Sequence, residues 1–285
     1  MEKVILNNGV EMPLEGFGVF QIPDAAQCEQ VVYDAIRTGY RLLDTAAAYG
    51  NEAAVGKGVA RAIEDGLTTR EELFITTKAW VNDMAKEEDA YQAVKASLGR
   101  LEMEYVDLIL LHQPMKDYFA AYRGITRAYK EGLAKAIGVA DFYPAILANF
   151  CETVEVIPAV NQVELHPFFV QAEALENMKA YGVVPQAWGP LAEGKHGIFT
   201  DPELTAIGRK YGKTAAQVAL KWNVQRGVSI IPKSVHVDRM EQNMDIWDFT
   251  LTEEEMAKIA AKDLGHSEIV NHADPAFVKL VLNLH

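Results

Sequence analysis

Short apolar runs alternate along the chain with longer segments whose apolar residues have helical spacing. An apolar run bounded by turn residues is typical of a strand, and a repeat near 3.6 residues is typical of an amphipathic helix. The predicted strands are 15–19, 41–44, 73–77, 106–111, 135–139, 158–162, 183–187 and 228–231. The predicted helices are 24–38, 51–64, 87–100, 118–131, 143–151, 172–181, 203–225 and 238–245.

This alternation indicates an α/β protein with a parallel sheet. Residues 106–111 are almost continuously apolar, as expected for a strand buried on both faces. Eight strands alternating with helices favour a closed (β/α)8 TIM barrel. The rival architecture is a doubly wound sheet, which needs a GxGxxG loop after an early strand. Gly16-Phe17-Gly18 lacks the third glycine and begins no helix, so we prefer the barrel.

The two ends of the chain lie outside the alternation. Asn7-Asn8-Gly9 separates two short apolar runs, and an Asn-Gly pair permits the positive φ of a tight turn, so an N-terminal β-hairpin is predicted. Residues 264–285 have an irregular pattern with a short apolar end. A chain of 285 residues fits one large barrel or two ordinary domains. Because we find no linker or repeat, we expect residues 1–285 to form a single domain.

Charge and cysteine content exclude several classes of protein. The chain has 40 acidic and 27 basic residues and a net charge of -13, which argues against a nucleic-acid partner. Cys28 and Cys151 belong to no CxxC or Cys/His cluster, so we expect no metal site and reduced thiols in a cytoplasmic protein. No apolar run approaches the ~18 residues of a membrane span, and no signal-peptide core is present. A monomer is the default expectation.

Polar, titratable residues stand at the ends of three successive predicted strands. Asp44 ends one strand and Tyr49 follows in a run of small residues, while Lys78 and His112 end the next two strands. Any of these residues alone would more often be a cap, a packed residue or a solvated surface group. The carboxyl ends of barrel strands meet at one rim, where barrel active sites lie, so we expect the four side chains to come together.

Four segments resemble signature segments of the aldo-keto reductases. They read RLLDTAAAYGNE, LFITTKAW, DLILLHQP and IPKS, occur in that order and extend over nearly the whole chain. The resemblance implies an NADPH-dependent carbonyl reductase on a TIM barrel whose hairpin closes the bottom. It assigns Asp44, Tyr49, Lys78 and His112 to the catalytic tetrad, with a small-molecule carbonyl as substrate.

These residue types suit carbonyl reduction, in which a proton donor must serve the developing alkoxide. A tyrosine has a pKa near 10 and transfers its proton more readily if that pKa falls toward the working pH. A lysine about 4 Å from the phenolate interacts with it by roughly 4 kcal/mol at an effective dielectric of about 20, before desolvation reduces the effect. We therefore expect Lys78 to lower the pKa of Tyr49, Asp44 to hold Lys78 charged, and His112 to orient the substrate oxygen.

The resemblance also implies a binding site for NADPH or NADP+. The positions that hold the adenosine 2′-phosphate and adenine are matched by Lys233, Ser234, Arg239 and Asn243. Gln162 matches a position that contacts the nicotinamide carboxamide. Trp188 matches a position whose aromatic ring stacks on the nicotinamide. The remaining positions assigned to the cofactor are Gly189, Pro190, Leu191, Val235 and Gln242. Gln242 stands where relatives often carry Glu, and Trp188-Gly189 where many carry Tyr-Ser.

One cofactor segment departs from the family pattern. Residues 137–142 read IGVADF, where relatives commonly read GVSNF and the Ser-Asn pair helps to hold the carboxamide. Ala140 removes a hydroxyl, which should cost on the order of 1 kcal/mol of cofactor binding if nothing replaces it. Asp141 replaces an amide by an anion, so we hypothesise that NADP+ binds unusually well relative to NADPH.

The substrate pocket is less well defined by the sequence. Phe20, Ala48, Trp80 and Gln113 match pocket-lining positions, and Gln113 is expected to make the mouth more polar. Short loops after His112 and Leu191 suggest an open pocket for small polar carbonyls such as methylglyoxal or keto sugar acids, as in the bacterial 2,5-diketo-D-gluconate reductase-like branch. The alternative function is an NADP(H)-binding redox-sensing or regulatory subunit. A non-redox barrel enzyme would need a further phosphate or metal site, which we do not find in the sequence.

Overall fold

The computed structural model describes residues 2–283 and confirms the predicted barrel. Eight parallel strands are hydrogen-bonded to their neighbours in chain order. They are β3 (Phe17–Gly18), β4 (Leu42–Asp44), β5 (Phe74–Ala79), β6 (Val106–Leu111), β7 (Ala134–Ala140), β8 (Val160–Glu164), β9 (Val184–Trp188) and β10 (Ser229–Ile230). A parallel bridge between Glu15 and Ile230 joins the last strand to the first, so the sheet closes on itself.

Helices connect the strands and follow the last one. They are α1 (Ala25–Thr38), α2 (Glu52–Glu64), α3 (Glu87–Leu101), α4 (Tyr118–Lys130), α5 (Pro144–Cys151), α6 (Ala172–Ala180), α7 (Pro202–Tyr211), α8 (Ala215–Gln225), α9 (Val237–Met244), α10 (Glu253–Ala260) and α11 (Pro275–Leu282). Side-chain caps fix several helix starts. Asp24 accepts from Gln27 N before α1, for example, and satisfies one of the free amides of the first turn.

The predicted N-terminal hairpin is also confirmed. Strands β1 (Lys3–Ile5) and β2 (Glu11–Pro13) pair antiparallel, and Gly9 adopts the positive φ of 86° that the turn requires. Asn7 Nδ2 donates to Pro158 O over 2.9 Å, and Asn8 Nδ2 donates to Lys135 O over 2.9 Å. Both acceptors lie at the amino ends of barrel strands, so the hairpin is anchored to the end opposite the carboxyl ends of the strands.

The core has two layers that share the barrel strands. Leu108 and Leu110 point into the barrel interior, where they join a cluster with Leu42, while Ile109 and Leu111 pack against the helices. Side chains of a strand alternate between its faces, so an apolar run fills both layers at once. This explains why residues 106–111 show no polar alternation.

Three features of the helical prediction are wrong. Helix α10 was not predicted, although Thr252 begins it with a capping box to Glu255. The predicted helix 203–225 is two helices, because Gly212 adopts φ 68° and Thr214 begins α8 with a capping box to Gln217. The stretch 264–283 is not wholly irregular, because α11 begins after Asp274, whose side chain accepts from Ala276 N. Residues 284–285 of the predicted tail lie outside the described residues.

None of the helices in residues 2–283 is both long and apolar enough to cross a membrane.

Candidate active site

The carboxyl ends of neighbouring strands bring Asp44, Lys78 and His112 to one rim. Asp44 is the last residue of β4, Lys78 lies one residue before the end of β5, and His112 directly follows β6. The strands β4, β5 and β6 pair in register side by side. The pairing thus places the three residues on adjacent strand ends, as the sequence predicted.

Tyr49 lies in a short helical turn, Ala47–Tyr49, between β4 and α2. The turn is fixed from both sides. Thr45 Oγ1 donates to Asn51 Oδ1 over 2.8 Å, and Asn51 Nδ2 donates to Val19 O over 3.0 Å. Gly50 allows the chain to leave the turn with a positive φ of 67°. The loop is therefore held in one geometry by buried hydrogen bonds, which fixes the position of the phenol.

Lys78 connects the carboxylate and the phenol. Its Nζ donates to Asp44 Oδ1 over 2.5 Å, to Thr45 O over 3.0 Å and to Tyr49 Oη over 3.2 Å. Lys78 is fully buried and Asp44 nearly so. All three ammonium hydrogens are thus directed at oxygen atoms, which is the condition for keeping a buried lysine charged.

Burial and neighbouring charges act in opposite directions on these groups. Burial lowers the pKa of Lys78, but Asp44 and Tyr49 raise it by more, so its net pKa lies above the usual value. Burial raises the pKa of Tyr49, and the opposing effect of Lys78 does not overcome it. Lys78 thus acts in the expected direction on the pKa of Tyr49, but burial outweighs it, so the net pKa of Tyr49 lies above its usual value.

His112 is a neutral imidazole at the same rim. Burial, the positive charge of Lys78 and, further away, His272 lower the pKa of His112 well below its usual value. Its Nδ1 is buried and has no hydrogen-bond partner within residues 2–283. A neutral imidazole has one N–H to donate, which suits an uncharged carbonyl oxygen.

Aromatic rings surround the phenol and the imidazole. The ring centroids of Phe20 and Tyr49 are 4.9 Å apart, those of Tyr49 and His112 are 5.6 Å apart, and those of Trp80 and His112 are 5.0 Å apart. Phe20 is half exposed, and the predicted pocket residue Ala48 is exposed as well. Three of the four predicted pocket residues therefore border the tetrad.

Gln113, the fourth, lies elsewhere. It is buried, and its Nε2 donates to Asp141 Oδ2 over 2.9 Å, while its Oε1 has no partner within residues 2–283. It thus contacts a predicted cofactor residue instead of making the mouth more polar. Asp141 directly follows Ala140 at the end of β7 and adopts φ 61°, a conformation that Asp tolerates better than most residues.

Gln162 belongs to a chain of buried amides across the barrel interior. Its Nε2 donates to Asp44 Oδ2 over 2.9 Å and to Gln186 Oε1 over 2.7 Å, and Gln186 Nε2 donates to Ser229 Oγ over 3.2 Å. The sequence analysis missed Gln186 and Ser229. Their signal was a polar residue inside an otherwise apolar strand. Both amide hydrogens of Gln162 are used within the protein, so its carbonyl oxygen is the group left to accept from a ligand.

Trp188 and His272 complete this side of the rim. Trp188 ends β9, and its Nε1 donates to Asp141 Oδ1 over 2.9 Å. His272, from the segment before α11, places its Nε2 3.2 Å from Asp141 Oδ2. The sequence analysis did not select His272. Gly189, Pro190 and Leu191 follow Trp188 directly, and Gly189 adopts φ 57°.

The other predicted cofactor residues lie after β10. Ser234 is buried and its Oγ accepts from His236 N over 3.0 Å, which shapes the chain before α9. Lys233 and Arg239 are exposed and have no ion-pair partner within residues 2–283. Val235 and Gln242 are also exposed, whereas Asn243 is buried within α9. Two unpaired cations beside a helix start fit a phosphate group, and no group of metal-binding residues occurs in residues 2–283.

Comparison with known proteins agrees with this geometry. The model of the family described as "Aldo/keto reductase family" matches residues 16–264. Glyoxal reductase of Bacillus subtilis is 43% identical over 91% of this chain and 92% of its own length. Methylglyoxal reductase DkgA of Escherichia coli is 39% identical over 91% of this chain and 93% of its own. The crystal structure of a Bombyx mori aldo-keto reductase in complex with NADP has a TM-score of 0.90 at 34% identity and covers 98% of this chain and 96% of that one. The family prediction is confirmed, and this chain belongs to the aldo/keto reductase family of oxidoreductases.

Proposed function

We propose that this protein uses NADPH to reduce small polar aldehydes or ketones to alcohols, with Tyr49 as the proton donor. The observation that carries the proposal is the position of Lys78 Nζ, which contacts Asp44 at 2.5 Å and Tyr49 at 3.2 Å below an aromatic-lined rim. A carboxylate, an ammonium and a phenol in contact form a proton-donating unit of the kind that carbonyl reduction requires.

The tetrad delivers a proton in step with charge development at the substrate. NADPH, when bound, supplies the hydride that the carbonyl carbon receives. As the oxygen becomes an alkoxide, Tyr49 Oη gives it a proton, and Lys78 stabilises the phenolate that remains. Asp44 keeps Lys78 charged, and solvent returns a proton to Tyr49 afterwards. The raised pKa of Tyr49 keeps the donor loaded before the reaction begins.

His112 orients the carbonyl. Its lowered pKa keeps the imidazole uncharged near neutral pH, so it donates a single hydrogen bond without itself being a strong acid. The rings of Tyr49 and Trp80 both pack edge-on against the imidazole ring and help to position it. A carbonyl oxygen that bonds both His112 and Tyr49 presents its carbon to one face of the site, which favours a defined hydride geometry.

The residues that would hold the cofactor fit NADP(H). Lys233 and Arg239 are exposed cations without partners in residues 2–283 and suit the 2′-phosphate, with Ser234 and Asn243 beside them. Gln162 retains its carbonyl oxygen for the carboxamide amine. Trp188 offers a half-buried ring for the nicotinamide.

The substrate class rests on two arguments. The mouth formed by Phe20, Tyr49, Trp80 and His112 combines aromatic faces with two hydrogen-bonding groups, which suits a short carbonyl compound. The relatives named above are a glyoxal reductase and a methylglyoxal reductase. We therefore propose small dicarbonyls as substrates before keto sugar acids. The monomeric state and the cytoplasmic location stay predictions.

The test is NADPH consumption with methylglyoxal, with NADH in parallel. We expect turnover with NADPH in the wild type and a loss of about 10²–10⁴-fold in kcat in Tyr49→Phe, because the proton donor is removed. Tyr181→Phe is the matched control, since its hydroxyl bonds Glu152 at the surface and should not affect turnover. Unchanged kcat in Tyr49→Phe would contradict the assigned role, and tight NADPH binding without turnover of any carbonyl would contradict the function.

A further inference from the structure

The Asp141 carboxylate is enclosed by three donors from three parts of the chain. Gln113 Nε2 donates to Oδ2 over 2.9 Å and Trp188 Nε1 donates to Oδ1 over 2.9 Å. His272 Nε2 lies 3.2 Å from Oδ2. The side chains of Asp141 and His272 are only 4% and 7% exposed, so their interaction is weakly screened by solvent.

His272 faces few other titratable groups. Its Nδ1 lies 3.4 Å from the Tyr143 hydroxyl, and it interacts at longer range with Glu164 and His112. Glu164 is already bonded by His166 Nε2 at 2.9 Å and by the Ser267 hydroxyl at 2.5 Å. Asp141 is therefore the carboxylate in direct contact with His272.

The protonation of His272 is set mainly by two opposing effects. Burial lowers its pKa, but the charge and hydrogen bond of Asp141, helped by Glu164, raise it by more. The net pKa lies above the usual value for histidine. His272 is therefore charged in mildly acidic solution and becomes neutral as the pH rises through that raised value.

The Asp141–His272 pair is connected to the tetrad by hydrogen bonds and by an electrostatic interaction. Asp141 N donates to Gln162 O over 2.9 Å, and the Gln162 side chain bonds Asp44. The negative charge of Asp141 also acts on Tyr49. A change in the net charge of the Asp141–His272 pair thus changes the electrostatic potential where the proposed reaction occurs.

We propose that His272 is the titratable counter-charge of Asp141 and that this pair sets the preference of the site for NADP+ over NADPH. The inference rests on the proposed function and concerns how its cofactor site discriminates. NADP+ carries one positive charge more than NADPH, on the nicotinamide ring. With His272 protonated the pair is neutral and discriminates little. With His272 neutral, the Asp141 charge is uncompensated and favours the cation.

The test measures the dissociation constants of NADPH and NADP+ separately, by quenching of protein fluorescence, between pH 6.5 and pH 9.5. The ratio Kd(NADPH)/Kd(NADP+) is the quantity of interest, because ionisation of the 2′-phosphate is common to both forms and cancels. We expect the wild-type ratio to rise with pH by about tenfold, the effect of one partly buried charge.

Two substitutions separate charge from structure. His272→Arg keeps a permanent cation and should give a low ratio that is independent of pH, whereas His272→Gln should give a high ratio that is independent of pH. His266→Gln is the control, because His266 lies in the same segment with its side chain 64% exposed and should keep the wild-type pH dependence. In an Asp141→Asn background, the difference between the Arg and Gln variants should vanish.

The outcomes distinguish a failure of this inference from a failure of the proposed function. Equal ratios in His272→Arg and His272→Gln, or a wild-type ratio that is flat across the pH range, would overturn the inference while leaving the reductase proposal intact. Failure of the wild type to bind either cofactor would overturn the proposed function itself and the inference with it.

Discussion

Replacing Glu15 by glutamine removes a buried ionisable group at the bridge that closes the barrel. Glu15 is fully buried beside the barrel seam, where its Oε2 accepts from Trp247 Nε1 over 2.8 Å and its Oε1 has no partner within residues 2–283. Burial raises its pKa from 4.5 to about 8, against the opposing effects of Trp247 and Tyr40. The folded protein therefore keeps a proton that the unfolded chain releases.

This difference makes stability depend on pH. Below pH 4.5 both states are protonated and the pKa difference has no effect. Between pH 4.5 and about 8 the unfolded chain releases its proton, so wild-type stability falls as the pH rises. The fall is about 1.4 kcal/mol per pH unit, so it amounts to roughly 4 kcal/mol between pH 5 and pH 8. Glutamine has no such dependence. Its amide costs about 1–3 kcal/mol if it is left unpaired, but that cost is the same at every pH.

Urea denaturation of wild type and Glu15→Gln at pH 5, 6.5 and 8 measures the effect. We expect the free energy of unfolding of the variant, relative to that of the wild type, to increase by roughly 4 kcal/mol from pH 5 to pH 8. The variant should therefore be the more stable protein at pH 8. Glu11→Gln is the matched control, because Glu11 has a 60% exposed side chain and pairs with Lys3 at the surface. A stability difference between Glu15→Gln and wild type that stays constant across the three pH values would refute the argument.

Two further predictions follow from packing and from the tetrad. Gly56→Ala should destabilise the protein by about 1–3 kcal/mol, because the new Cβ would lie 2.3 Å from Leu101 O. Gly99→Ala should stabilise the protein by about 0.5–1 kcal/mol, because the new Cβ on α3 would have no atom within 4 Å. The urea midpoints of the two variants test these predictions. Equal shifts of the midpoint would contradict the close contact of Gly56 in α2 with Leu101 at the end of α3. At saturating NADPH, the hydride-transfer rate should not fall between about pH 6.5 and 10, since the pKa of His112 is lowered below that range and the pKa of Tyr49 is raised above it. Stopped-flow rates that fall near pH 8 would show that a different acid is used.

The sequence predicted those parts of the site that depend on strand order. Asp44, Lys78 and His112 follow consecutive parallel strands, and parallel pairing places consecutive strand ends side by side whatever the side chains are. The contact of His272 with Asp141 could not be predicted in this way, because it depends on how a C-terminal segment without strong periodicity crosses the rim. The division between α7 and α8 was readable from Gly212 and the Thr214–Gln217 capping box, but the apolar spacing of the two helices obscured it.

The sign of the tyrosine pKa shift also needed the structure. A pair of charges can be proposed from sequence spacing, but the desolvation that opposes it depends on how completely the neighbours exclude water. Tyr49 is partly buried against Phe20, His112 and the Lys78 side chain, and none of these contacts follows from the sequence alone.

The closure of the barrel has a consequence for synthesis of the protein. Gly16 N donates to Ile230 O over 2.8 Å, and Ile230 N donates to Leu14 O over 2.8 Å, so the seam joins the first barrel strand to the last. The ribosome releases the amino end first, and all four tetrad residues emerge long before residue 230. Until β10 arrives, the nascent sheet has two unpaired edges, at β3 and β9, which are templates for pairing with other chains. The strand that completes the ring is therefore also the one that ends the period of greatest exposure to aggregation.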